Sequence, residues 1–167
     1  MRHLATIGKR RTRGYNIRNA VRIVLFDRNG SVPMIFTPKL GYHKLPGGGI
    51  EPGESKLRAL AREIKEEVGA TFRITGTVGT TVEWKNRWHQ RQTSCCYTGK
   101  IITKGLPTYT EEEHNSEFRV VWFPSIDEII ETLNKDISKE YEWPFIKRRE
   151  RAFLERARTM MHTSTHA

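Results

Sequence analysis

The amino-acid sequence predicts an α+β domain in which a mixed β-sheet is held between helical layers. Three observations carry that expectation. Alternating, Val- and Ile-rich stretches occur near residues 20–26 and again over 71–102; one amphipathic helical pattern lies between them at 55–69; further helical patterns gather toward the carboxyl end. Strands, a central helix, more strands and then helices is the order such layering produces.

Residues 20–26 alternate and read as a strand that ends at the turn formed by Asp27, Arg28, Asn29 and Gly30. A second strand over 34–37 resumes after Pro33, and the two are expected to form a hairpin. After a loop at 38–43, Lys44 and Leu45 lead into Pro46, Gly47, Gly48 and Gly49, where missing side chains let the backbone come close to a ligand. The central helix is expected to start at Ser55, whose hydroxyl can cap free N–H groups, and to stop near Gly69. Its apolar stripe is Leu57, Leu60, Ala61, Ile64 and Val68.

Residues 71–84 are β-branched, with Gly76 and Gly79 marking a bend or bulge, and residues 88–102 return as the partner strand after the polar turn Lys85, Asn86, Arg87. A loop over 105–115 holds Pro107 and the acids Glu111, Glu112 and Glu113. A strand at 118–123 precedes a helix at 126–133 capped by Ser125. The last helix, 143–161, is highly charged and is expected to bury Phe145, Ile146, Phe153, Leu154 and Met161. The organisation read from this is a basic arm at 1–17, one domain at 18–161 and a flexible tail at 162–167.

A chain of 167 residues, 37% hydrophobic, can build a real core, and no apolar run reaches membrane-spanning length. The net charge of +10 favours phosphate-bearing partners. Much of it precedes the first acid, Asp27, in Arg2, Lys9, Arg10, Arg11, Arg13, Arg18 and Arg22. That start reads first as a solvated tail, with a transit peptide or a nucleic-acid-gripping arm as alternatives. Cys95 and Cys96 are adjacent, so in a strand they point to opposite faces and do not bridge. With no zinc pattern and no disulfide framework, a reducing cytoplasm fits.

The chemistry concentrates in the central helix. At about 100° per residue, Glu63, Glu66 and Glu67 share one flank beside the apolar stripe. Like charges about 4 Å apart cost roughly 4 kcal/mol per pair at an effective dielectric near 20. A cation must offset this, either a side chain such as Arg62 or a bound ion, and carboxylate oxygens suit Mg²⁺ or Mn²⁺.

Written out, Gly48-x5-Glu54-x7-Arg62-Glu63-Ile64-x-Glu66-Glu67-x-Gly69-Ala70 resembles the Nudix box, with Ala70 smaller than the usual aliphatic residue. The resemblance spans residues 18–133 and includes the Lys-Leu-Pro-Gly-Gly-Gly lead-in and the later Val-Val-Trp-Phe-Pro run. It implies an α/β/α sandwich with the box as a loop–helix–loop, and metal-dependent hydrolysis of a diphosphate in a nucleoside diphosphate derivative. By matching positions, Glu63, Glu66 and Glu67 would hold the metal, one of them orienting water. Arg62 would hold a box glutamate, Glu54 would support the site, and Gly47, Gly48 and Gly49 would border the diphosphate. An acid from outside the box is expected at Glu113, with Glu112 and Glu117 behind it.

Lys85, Asn86, Arg87 and Trp88 stand where members acting on ADP-ribose or diadenosine polyphosphates carry a proline or tyrosine, and the coenzyme A fingerprint is missing. By elimination the expected substrate is a nucleoside triphosphate, ordinary or oxidised, with Trp84, Trp88, Tyr97 or Tyr42 available to stack on a base. An RNA 5′-end pyrophosphohydrolase and a non-catalytic nucleotide-binding module are the rival readings. A dimer is compatible with the sequence.

Overall fold

The structure, a computed structural model, describes residues 1–115 and 117–164, excluding the side chains of Glu112, Glu113, His162 and Ser164. Among the described residues seven strands and four α-helices follow in the order β1 (His3–Ile7), β2 (Asn16–Phe26), β3 (Val32–Thr37), β4 (Tyr42–Lys44), α1 (Lys56–Glu67), β5 (Ala70–Lys85), β6 (Gln90–Lys104), α2 (Glu111–Asn115), β7 (Arg119–Phe123), α3 (Ile126–Lys135) and α4 (Trp143–Ser164). They build a four-stranded sheet ordered β1-β5-β6-β2 and a three-stranded sheet ordered β4-β3-β7. In the first sheet β2 runs parallel to β6 and β1 parallel to β5, while β5 and β6 form a long antiparallel pair. The sheet is therefore mixed, as expected.

β2 is the middle of the molecule. Its side chains alternate between two cores: Val21, Ile23 and Leu25 face Leu60 and Ile64 of α1 and Val68 at its end, while Val24 and Phe26 face α3 and α4. A strand covered on both faces is near-continuously apolar, which is what residues 20–26 are apart from Arg22. Each buried Val, Leu or Ile contributes about 1.5–3 kcal/mol.

The expected hairpin between β2 and β3 does not form, because both edges of β2 are already taken. One edge pairs with β6 over its full length; the other receives the glycine segment, with the Val21 N–H donating to Gly48 O at 3.0 Å, Ile23 N–H to Pro46 O at 3.2 Å and Ile50 N–H to Asn19 O at 2.9 Å. β3 instead joins β4 and β7. The Asp27 carboxylate accepts the N–H groups of Asn29 and Ser31, both at 2.9 Å, and so turns the chain out of the first sheet.

Other boundaries shift for local reasons. β2 starts at Asn16 rather than Ala20, and residues 3–7, within the segment read as an arm, pair with β5. The long β5–β6 ladder breaks register between Ile74 and Gly76 and between Thr77 and Gly79, at the glycines read as bulge positions. A short helix replaces part of the loop expected over 105–115. In α4, Ile146, Phe153 and Leu154 are buried as expected, but Met161 is exposed and Phe145 only half-buried. Trp143, Ala157 and the charged pair Arg149 and Glu150 complete the buried face.

Candidate active site

Ser55 caps α1, its Oγ accepting the Arg58 N–H at 3.3 Å, and the helix ends on Val68 before Gly69 at φ +68°. The buried face is Ala59, Leu60, Glu63, Ile64 and Glu67, whereas Leu57 and Ala61 of the expected stripe are exposed. The helix is rotated toward its carboxylates because the glycine segment supplies partners for them. The Glu67 Oε2 accepts the Gly47 N–H at 2.6 Å, and its Oε1 pairs with Lys44 Nζ at 3.3 Å. Glu67 is only 1% exposed. Burial pushes its carboxyl above the ordinary range, with Lys44 and the Gly47 N–H pulling the other way.

Two glycines make this approach possible for different reasons. A Cβ on Gly48 would sit 2.2 Å from Glu63 Oε1, inside that carboxylate. A Cβ on Gly47, at φ +122°, would sit 2.3 Å from the Val21 carbonyl oxygen, which belongs to backbone. Gly48→Ala is therefore expected to displace the flexible Glu63 side chain, lowering turnover about ten-fold or more with little change in unfolding free energy. Gly47→Ala is expected to lower stability by about 1–3 kcal/mol, because the β2–loop pairing must give. Urea denaturation beside steady-state turnover separates the two effects.

Arg62 is the hub of the remaining acids. Its Nε and Nη2 fork onto Glu54 at 3.1 Å each, its Nη1 donates to Glu63 Oε1 at 2.9 Å and Glu66 Oε2 at 3.3 Å, and Nη2 also reaches the Gly49 carbonyl at 3.1 Å. These bonds raise the Arg62 pKa, Glu54 first among them, and in return Arg62 holds the Glu54 carboxyl below its usual range. The side-chain alternative to a metal is thus present in the fold. Among the described residues no three acids gather closely enough to hold an ion. Yet Glu63 and Glu66 converge on a single cationic nitrogen, and their donor atoms are all hard oxygens, the kind of donor set a divalent cation takes beside that guanidinium. Glu67 faces the glycines instead, close enough for the Glu63 charge to act on it.

The sites outside the box are dispersed. The side chains of Glu112 and Glu113 lie outside the described residues. Glu117 is exposed, at φ +56°, beside Lys39 at 3.8 Å and Arg119 at 4.0 Å. Of the aromatics, Tyr42 is buried and stacked on Trp143 with centroids 5.2 Å apart. Trp84 meets the Tyr15 ring edge-on and the Arg10 and Arg91 guanidiniums across its face, Trp88 meets Tyr141, and Tyr97 packs on the α1 side of the sheet.

Sequence reading missed a largely cationic cleft of about 230 Å³ on the opposite face of β2, lined by Arg18, Arg22, Lys44, Lys85 and Arg149 with one carboxylate, Glu142. One signal was available: Arg22 interrupts an otherwise apolar strand. Behind the cleft, Arg149 Nη1 donates to Glu83 Oε1 at 2.9 Å and Nη2 to Glu150 Oε1 at 2.6 Å, and Lys85 Nζ lies 3.1 Å from Glu83 Oε2.

A sequence profile of the NUDIX domain matches residues 16–144. The chain belongs to the Nudix family. Its resemblance extends to solved Nudix structures at the level of fold: a NUDIX hydrolase from Nitrosomonas europaea superposes with a TM-score of 0.58 at 22% identity, covering 74% of this chain and 82% of that one. A MutT NUDIX hydrolase from Burkholderia pseudomallei gives 0.58 at 18% identity, covering 84% and 98%. Among curated proteins, the RNA pyrophosphohydrolase of Cronobacter sakazakii is 39% identical over 66 residues, 38% of this chain and 36% of that protein. The Escherichia coli protein of the same name is 38% identical over 66 residues. The match thus spans about a third of those relatives. In this Nudix chain no helix among the described residues is long and apolar enough to cross a membrane.

Proposed function

We propose that the chain hydrolyses a phosphoric anhydride bond of a nucleoside triphosphate, releasing a monophosphate and pyrophosphate. The observation that carries this reading is the pair Glu63 and Glu66 on one Arg62 nitrogen, with Glu67 clamped beside them against Gly47. Membership of the Nudix family supports it. Glu63 and Glu66 would hold Mg²⁺ or Mn²⁺, and Glu67 would join them by turning its carboxylate from Gly47 and Lys44 toward the ion. Such an ion neutralises phosphate oxygens and lowers the pKa of water.

The chain's own groups do the rest. Arg62 keeps Glu63 and Glu66 in register and lets Glu54 anchor the guanidinium from the far side. Glu67 would orient the attacking water and accept its proton while the electrons of the broken P–O bond pass to the leaving group, pyrophosphate for attack at the α-phosphorus or the nucleoside monophosphate for attack at the β-phosphorus. Gly47, Gly48 and Gly49 leave room for the diphosphate along the helix. An acid at Glu113 would complete the set.

A second reading, hydrolysis at a triphosphorylated RNA 5′ end, is favoured by the names of the relatives matched over 66 residues. It is also favoured by the layering of Arg10 and Arg91 on Trp84 and of Arg87 on Tyr141, cation and ring together as single strands require. Because β1 belongs to the sheet, the arm is tested by substitution rather than by deletion. Turnover of nucleotides, sugar nucleotides and triphosphorylated RNA, measured as phosphate released by a coupled phosphatase with Mg²⁺, decides between the readings. A triphosphate preference supports the first. RNA turnover lost in an Arg10→Gln, Arg11→Gln, Arg13→Gln triple variant, with free nucleotides still cleaved, supports the second. No release from any substrate overturns both.

A further inference from the structure

Most cations of the cleft behind β2 have a carboxylate. Arg149 has Glu83 and Glu150, Lys85 has Glu83 and Glu142, and Lys44 has Glu67. Two guanidiniums differ. Arg18 donates to a neutral partner, Gln92 Oε1, at 2.7 Å. Arg22 is 4% exposed and donates only to its neighbour's carbonyl, Val21 O, at 3.3 Å; its Nε has no partner among the described residues. A buried guanidinium with no carboxylate in hydrogen-bond contact is costly: Glu150 and Glu67 act on Arg22 only at a distance, and Arg149 and Arg18 add repulsion. An anion meeting the open donors would relieve that cost.

The same cleft is a poor seat for a flat uncharged ring. Tyr42 is buried and stacked on Trp143, and Phe118 presents its face to Lys44 Nζ at 4.4 Å. Lys44 lines the cleft and also pairs with Glu67, so the cleft and the carboxylate helix are joined by one side chain. Planar forks such as Arg18 and Arg22 match phosphate oxygens two at a time.

We propose that this cleft is a second phosphate subsite, in which Arg22 and Arg18, with Lys44, take a phosphate of the substrate other than the one attacked. The role within a substrate rests on the hydrolase reading above; the anion site itself does not. Two sources share this chemistry: a distal phosphate of a polyphosphate chain, and an internucleotide phosphate beyond the first nucleoside.

Calorimetric titration with inorganic tripolyphosphate, in EDTA so that the carboxylate helix holds no metal, tests the site directly. Saturable binding by the wild type, weakened about ten-fold or more in Arg22→Gln, is the expected result, since one charge-assisted contact is worth that factor. Arg18→Gln is expected to show the same loss, and Arg18, being half-buried, keeps the test open if the Arg22 variant does not fold. No saturable binding by the wild type, or affinities unchanged within two-fold in the folded variants, overturns the proposal.

Competition with a nucleoside triphosphate and with a 5′-triphosphorylated dinucleotide identifies the source. A loss at least about five-fold larger for the dinucleotide assigns the internucleotide phosphate, and equal losses assign the chain. Wild-type turnover with Mg²⁺ reads the hydrolase separately. An inactive protein that still binds tripolyphosphate through Arg22 keeps the subsite and loses the hydrolase; an active protein indifferent to Arg22 and Arg18 does the reverse.

Discussion

Glu67→Gln is expected to lower turnover about 10²–10⁴-fold, the range associated with a positioned proton acceptor. The substitution keeps the shape of a side chain that is 1% exposed, and an amide oxygen can still accept the Gly47 N–H that now reaches Oε2 at 2.6 Å. What disappears is the charge that faces Lys44 at 3.3 Å and that would face a metal or a water. The fold should survive, because Lys44 also borders the cleft and can turn into it. Single-turnover kinetics with saturating Mg²⁺, run beside a urea melt, give the answer. Wild-type rates in this variant would remove the glutamate cluster from the reaction.

Arg149→Met is expected to cost about 3–5 kcal/mol of folding free energy, a large share of the roughly 5–15 kcal/mol typical of a domain. The guanidinium is 2% exposed between Glu83 and Glu150, each 0% exposed, and its loss leaves Glu150 without its cation and Glu83 with Lys85 alone. The same network predicts an acid limb. Burial opposes the charge on Glu83, but Arg149 and Lys85 outweigh it and hold its carboxyl below the ordinary value. A carboxyl whose folded pKa is depressed contributes stability that is present above the unfolded value, about 4.3, and lost as pH falls through the folded one. Glu83→Gln should therefore flatten the loss of stability below about pH 4, measured as the urea midpoint against pH. An acid limb as steep as wild type would show that Glu83 does not carry it.

Much of the fold was legible because it rests on periodicities that are local. Ser55 and Gly69 bound α1, Ser125 caps α3 through the Glu128 N–H at 3.2 Å, and the glycines at 76 and 79 fall where the β5–β6 register slips. The paired errors have one source. The β2–β3 hairpin and the Leu57 side of the α1 stripe were both read as though each segment met only its sequence neighbour. In the folded chain the glycine segment occupies the free edge of β2 and presents its N–H groups to Glu67, so the helix turns its acids inward and β3 is sent to another sheet.

Spacing along the chain was enough to specify the carboxylate helix, its caps, the glycine wall and the family, since a helix places residues three and four apart on one flank wherever it lies. Which charges face one another was settled by packing. Arg18 and Arg22 come from β2, Lys44 from β4, Lys85 from β5 and Arg149 from α4; Arg22 alone stands out, in an apolar strand, and nothing in the spacing of the other four links them to it. They become one cleft only when β2 is buried between α1 and α4, because burial removes the solvent that would otherwise screen each charge from the others.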